Sequence, residues 1–354
     1  MKKNQLILGL VVLAALVALL AYGQHKHPFH WHMFVEQLRL ADWRKIAIAT
    51  GCIYLAYIIR AVRWALLLRH NKKVGLFSLL DTQVMGFTAV ALIGRVADPV
   101  RPYLVAKKTG LPISNQIAVY IVERLFDGGA MALIFSSVIL LAPAGALVHP
   151  EIVKKAGYWG MALTVAGAVF LVLVRLAGGW VAAFLERAFG VFSKKLGESI
   201  GSKIRTFRSG LDVLRSFTDF ALTASLSLGH WAIIALAYLE SMRAFTASPE
   251  LATMTLPKCM LLLAFSGGAS ILQLPVLGWF TQIGLVAAAM TTFFGVAPEP
   301  STACAATILL VTFLAVVPVG LIWARFERIS LRGVTEASER AEEIADNAAG
   351  LGKS

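Results

Sequence analysis

Between Gly86 and Asp127 the chain places Arg95, Asp98, Arg101, Glu123, Arg124 and Asp127 among segments otherwise greasy enough to lie in a bilayer. An ionised side chain near the membrane centre costs about 2.5–3.5 kcal/mol on insertion scales, so such residues face a protein interior or a wet cavity. Arg95 and Arg101 flank Asp98 in a stretch interrupted by Gly94, Pro99 and Pro102. A guanidinium donates in a planar fork that suits two phosphate oxygens, and free backbone N–H groups at a broken helix add to an anion site. Asp98 can orient one arginine or offset its charge. The competing reading is a salt-bridge cluster that pins a loop.

Glu123 and Asp127 are four apart and share one helix face, while Arg124 points about 100° away. The two carboxylates can pair with Arg95 and Arg101, or with Arg60 and Arg63, three apart in an earlier apolar run. Proton relay and plain ion-pairing that locks helices together both remain open for them. Asp81, Arg175 and Glu240 sit nearer segment ends, where snorkelling to the interface accounts for them.

Other constellations carry less. His25, His27, His30 and His32 form two His-x-His pairs, but no cysteine or carboxylate set completes a metal site. Cys52, Cys259 and Cys304 lie in apolar stretches and read as small core hydrophobes. Gly350 to Ser354 imitates the end of a phosphate-binding loop but has Asn347 where the first glycine belongs. No Gly-x-Ser-x-Gly, His-Glu-x-x-His or dinucleotide fingerprint occurs. No catalytic residue, metal or cofactor is therefore expected, and no ATP-driven step by this chain alone.

The elements that position these charges are membrane helices. The chain is 58% hydrophobic and only 15% charged, with a mean hydropathy of +0.74, which excludes a disulfide scaffold or a disordered chain. Its net charge of +13 fits cytoplasmic loops near anionic headgroups better than nucleic acid. Apolar segments are expected near 5–22, 46–68, 76–93, 113–142, 157–177, 219–240, 256–273, 276–296 and 302–323, the first as an uncleaved anchor. The stretch 180–216 mixes Trp180, Phe184 and Phe189 with many basic residues and reads as an amphipathic surface segment. The tail 330–354 is polar.

Charge bias then sets the topology. If 76–93 crossed fully, Lys107, Lys108 and the basic 180–216 stretch would fall outside. A dip over 76–110 that returns to the cytoplasmic side keeps both inside. The pair 256–296 must likewise turn back, from the outer side, to keep Arg325, Arg328 and Arg332 inside. The expected fold is all-α and polytopic, with about six full spans and two opposed re-entrant helical hairpins, as an inverted repeat produces. One transmembrane domain covers 1–329, in a bacterial inner membrane, with both termini cytoplasmic.

Over Gly86–Leu104 and Glu123–Asp127 the chain resembles the lysylphosphatidylglycerol synthase transmembrane-region family, also described as flippase-like integral membrane proteins. Arg95, Arg101, Thr109, Gly110, Glu123, Arg124 and Asp127 match that family's pattern, as does the late break at Leu274–Gly278. Ile93, Ala97 and Asp98 stand where proline, glycine and glutamate are usual, and Thr281 and Gln282 where an acidic residue is common. The soluble aminoacyl-transferase domain of the full synthases is not among these residues, so lysine transfer is not implied. The resemblance implies translocation of a membrane phospholipid or polyprenyl-linked lipid; the residues themselves then suggest Arg95 and Arg101 as the phosphate holders, helped by Arg60 and Arg63, with Glu123 and Asp127 balancing them. An accessory subunit of envelope glycan assembly and a polyprenyl-phosphate transferase are the competing expectations.

Overall fold

The computed structural model describes residues 29–94, 97–143, 150–191, 193–194, 197–202, 214–269 and 277–327. The expected first span, Arg95, the centre of the late break and the polar tail lie outside the described residues, as do 203–213 of the basic stretch.

The described chain is helical throughout, without strands. A short helix α1 (Trp31–Leu40) leads into α2 (Trp43–Leu68), whose N-cap Asp42 accepts a hydrogen bond from Arg44 N at 3.0 Å. Next come α3 (Leu76–Ile93), α4 (Val100–Thr109), α5 (Ile113–Leu140) and α6 (Pro150–Gly190). Then follow α7 (Phe217–Arg243), one-turn α8 (Pro249–Ala252), α9 (Leu256–Ala269), α10 (Leu277–Phe294) and α11 (Pro298–Thr312). A 3-10 turn (Leu314–Val316) joins α11 to α12 (Val317–Phe326). By length and apolar composition five stretches could cross a membrane: α2, α3, α6, α7 and α11 through α12. At 28 residues, or about 42 Å, α5 is also long enough, although it carries three charged residues, Glu123, Arg124 and Asp127.

Hydrogen bonds between helix ends show which ends share a face. At the end of α2, Arg69 pairs with Asp219 at the start of α7, and Lys72 Nζ donates to Thr109 O at the end of α4 (2.6 Å). Lys108 pairs with Asp81 near the start of α3 and with Glu327 just beyond α12 (2.9 Å). The chain thus leaves this face as α3 and returns to it as α4. With only 10 residues, about 15 Å, α4 could not cross in any case.

The opposite face gathers the other ends. Asp42 N donates to Ala244 O (2.8 Å) and Arg243 Nε to Met254 O (2.9 Å), placing the start of α2, the end of α7 and the approach to α9 together. His30 N donates to Glu299 Oε1 (3.1 Å), and Thr246 Oγ1 reaches Leu40 O, so α1 lies along this same face beside the start of α11. The α9–α10 pair therefore leaves and regains that face. The two hairpins touch where Trp279 Nε1 donates to Ala91 O (2.8 Å). Each of these residues is fifteen positions from the end of its helix at its own face, about 22 Å, which is near the middle of a bilayer about 40–45 Å thick.

Sequence chemistry explains the breaks. α3 stops at Gly94 and α4 at Gly110, whose φ values of 91° and 71° favour glycine. The expected span 157–177 is part of one 41-residue helix, about 61 Å, which bends at Ala177, the residue where the apolar run gives way to the amphipathic one. Beyond the bend Trp180 and Phe184 are exposed. The last span is interrupted at the 3-10 turn before Pro318, and Tyr54 Oη donates to Ala315 O there (2.9 Å), pairing a carbonyl at the break.

Candidate functional site

Three helices bring the charges together. α2 supplies Arg60 and Arg63, α4 supplies Arg101, and α5 supplies Glu123 and Asp127; all five are 5% exposed or less. Arg63 spans the two carboxylates, with Nη2 donating to Glu123 Oε1 at 2.8 Å and Nη1 to Asp127 Oδ1 at 2.7 Å. Its Nη1 also donates to Ser227 Oγ of α7 at 2.6 Å, and Ser227 donates onward to Thr223 O. Arg101 donates to Glu123 Oε2 at 3.2 Å and to Asp98 Oδ1 at 3.5 Å. Glu123 and Asp127 thus pair with Arg60, Arg63 and Arg101, and the α2 arginines are their main partners.

Arg60 is held differently. Its Nε lies 3.4 Å from Glu123 and its Nη2 3.6 Å from Asp127, beyond good hydrogen-bonding distance for both. Its one hydrogen bond among the described residues runs from Nη2 to His230 Nε2, at 2.8 Å. A guanidinium can only donate, so His230 Nε2 accepts, the imidazole is neutral, and its Nδ1–H donates to Ala56 O at 3.1 Å. Arg60 Nε and Nη1 keep no hydrogen-bond partner among the described residues. Arg124, a third exposed, lies 3.9 Å from Asp98, and its Nε and Nη2 are likewise without a hydrogen bond.

Aromatic rings separate these like charges. The Arg60 and Arg101 guanidiniums each lie 4.5 Å from the Phe87 centroid, and those of Arg101 and Arg124 lie 5.0 Å from the Tyr120 centroid. A ring face carries partial negative charge, so each ring attracts two cations that would otherwise repel. Gly86 makes room for the arrangement: a Cβ there would run into the side-chain stem of Arg101.

A cavity of about 190 Å³ opens beside the cluster. Arg60 and Arg124 are in its wall, with Phe87, His230 and Trp231 near them and Tyr238, Ser266 and Gln282 among its further lining; Arg63, Arg101, Glu123 and Asp127 are not in it. Arg60 is eight residues from the end of α2 and Arg124 eleven from the start of α5, about 12 and 16 Å in, while Ile53 and Met131 of the same lining are about 22 and 27 Å in, so the cavity runs from the arginines to the middle of the bilayer. Among the described residues four guanidiniums (Arg60, Arg63, Arg101, Arg124) face three carboxylates (Asp98, Glu123, Asp127), an excess of one positive charge, and of these seven Arg60 and Arg124 line the cavity.

The expected site residues other than Arg95 therefore form one connected network. Their division of labour differs from the expectation for Arg101, which is sealed, and among the described residues the arginines at the cavity are Arg60 and Arg124. His230, Ser227, Phe87 and Tyr120 went unassigned in the sequence. Ser227 and His230, three apart in an apolar run, are the signal that was there to be read, as is Tyr120, one turn before Arg124. Among the described residues no group of three or more His, Cys, Asp or Glu side chains could hold a metal. Of the histidine pairs, His30 binds Glu299 instead.

An all-α polytopic membrane protein with a buried cluster of arginines and carboxylates among its membrane helices is the class that this fold and site define. The family description "Lysylphosphatidylglycerol synthase TM region" matches residues 6–320, and the chain belongs to that family. No curated protein and no solved structure matches it.

Proposed function

We propose that this chain moves an anionic lipid between the leaflets of the membrane, holding the headgroup phosphate with Arg60 and Arg124. The observation that carries the reading is the pairing of unmet donors with a cavity. Arg60 Nη1, Arg124 Nε and the Trp231 indole N–H all belong to cavity-lining residues and all lack an acceptor among the described residues. Buried donors without partners are costly, and an oxyanion in the cavity would satisfy several at once. Membership of a lipid-related membrane family agrees with it.

The sealed part of the cluster supports the hold rather than touching the lipid. Arg63, Glu123 and Asp127 lock α2, α5 and α7 together around Arg60, and Arg101 ties the returning arm of the first hairpin to them. Opposed hairpins that meet at mid-depth suit alternating access, in which one element rocks against another around a fixed site. The carboxylates are engaged by guanidiniums, which leaves them poorly placed as general acids or bases and favours transport over a transferase. The face with Arg69, Lys72, Lys73, Lys107, Lys108 and Arg215 is the cytoplasmic one by the positive-inside rule, in a bacterial inner membrane.

Leaflet transfer of a labelled anionic phospholipid in reconstituted vesicles tests this. A charged hydrogen bond contributes about 1.5–3 kcal/mol, so Arg60→Gln with Arg124→Gln is expected to slow transfer at least tenfold. Transfer as fast as wild type in the double variant would overturn the reading.

A further inference from the structure

The end of the cavity away from Arg60 is polar too, and a phosphate at the arginines does not account for it. Tyr238 of α7, Ser266 of α9 and Gln282 of α10 line it and are 5%, 2% and 3% exposed. Tyr238 Oη and Ser266 Oγ share a hydrogen bond of 2.8 Å, and Gln282 Nε2 donates to Ser266 Oγ at 3.3 Å. Gln282 Oε1 has no partner among the described residues. A buried amide oxygen in that condition stands ready for a donor from whatever fills the cavity.

The chemistry of the donor is narrowed by what surrounds it. Among the described residues lining the cavity the ionised ones are Arg60 and Arg124, and none is a carboxylate. A headgroup ammonium would meet two like charges and no carboxylate among the described lining. A hydroxyl both donates and accepts, and so matches the Gln282 amide as well as the Ser266 and Tyr238 hydroxyls. At about 190 Å³ the cavity is smaller than the roughly 300–1,000 Å³ that encloses a drug-sized ligand, so it suits a headgroup with the chains left outside.

We infer that Gln282, Ser266 and Tyr238 form a hydroxyl subsite, and that the cavity takes an anionic lipid whose headgroup carries free hydroxyls beyond its phosphate and no amine. This rests on the reading above and adds to it the headgroup class. Diacylglycerol lipids and polyprenyl lipids can both present such a headgroup.

Native mass spectrometry of the purified full chain, with lipids in competition, separates the claims. Phosphatidylglycerol is expected to be retained about three- to tenfold over phosphatidic acid, as one neutral hydrogen bond would give, and phosphatidylethanolamine less than either. Gln282→Leu should bring phosphatidylglycerol down to the level of phosphatidic acid without changing the latter. Ser266→Ala, which removes one oxygen and little volume, should narrow the same ratio if the leucine variant fails to fold. A polyprenyl-phosphate hexose set against polyprenyl phosphate puts the question to the isoprenoid source, and the pair whose ratio depends on Gln282 names the tail. A ratio untouched by both variants in both pairs, or phosphatidylethanolamine retained as well as phosphatidylglycerol, overturns the subsite. Loss of phosphatidic acid from the Arg60→Gln/Arg124→Gln protein, with no effect at Gln282, would sink the subsite alone. Undiminished phosphatidic acid in that double variant would instead sink the phosphate site.

Discussion

Arg60 and Arg63 sit three residues apart on one helix, both buried, yet they do different work. Arg63 meets two carboxylates and a serine, so its donors are largely spent inside the protein. Arg60 has one hydrogen bond among the described residues, to a neutral imidazole, and as a cavity-lining residue keeps Nη1 without an acceptor there. Removing one partner of a buried ion pair strands the other charge and costs about 3–5 kcal/mol. Asp127→Asn, which weakens the hold on Arg63, is therefore expected to lower stability by roughly that amount, read as thermal unfolding in detergent. Arg60→Gln should cost less, because Glu123 and Asp127 retain Arg63, and its main effect should fall on lipid retention. A larger unfolding shift for Arg60→Gln than for Asp127→Asn would contradict this division.

At the scale of elements, the first hairpin depends on two close approaches. Gly86 lets Arg101 of α4 pass over α3, and Gly320 lets α12 come against Thr88 of α3. Substituting Gly86 by valine should force the Arg101 stem aside and break its contact with Glu123, lowering both the unfolding temperature and lipid transfer. Gly128→Ala on α5 is the control. A Cβ there meets nothing within 4 Å, and alanine favours a helix over glycine by about 0.5–1 kcal/mol, so that variant should be as stable as wild type or more so. The His230 ring has a similar positioning duty, carrying the α2 backbone at Ala56 and the Arg60 head on its two nitrogens. His230→Phe should keep the helix packing and weaken anionic lipid retention severalfold, with the loss traced to Arg60 if Arg60→Gln adds nothing further.

For the molecule as a whole, the end-to-end hydrogen bonds make a testable map. In a background where Cys52, Cys259 and Cys304 are replaced, cysteines at Lys73 and Lys107 should react with an impermeant thiol reagent from one side. Cysteines at Arg44 and Glu250 should react from the other. All four positions are exposed. Opposite-sided labelling of Lys73→Cys and Lys107→Cys would mean that the segment between them crosses fully.

Helix positions were largely legible in advance, because an apolar run in a membrane chain must satisfy its backbone internally and so has little choice but to be helical. The α3 bounds, 76–93, agree with the hydropathy, and the change of character after 177 coincides with the bend in α6. The return of α3–α4 to its own face was readable too, since Lys107 and Lys108 leave a charge imbalance that a full crossing could not accommodate. That Arg60, Arg63, Asp98, Arg101, Glu123, Arg124 and Asp127 would gather into one cluster was readable from the cost of buried charge. Which arginine would be sealed and which would face the cavity was not. That outcome depends on His230, Ser227 and Phe87, which come from helices distant in the chain, and on Gly86 admitting Arg101 into the interior. Spacing along one helix tells which side chains share a face; only the packing of α2, α3, α5 and α7 decides which of those faces is closed by a carboxylate and which by a neutral ring that leaves donors free.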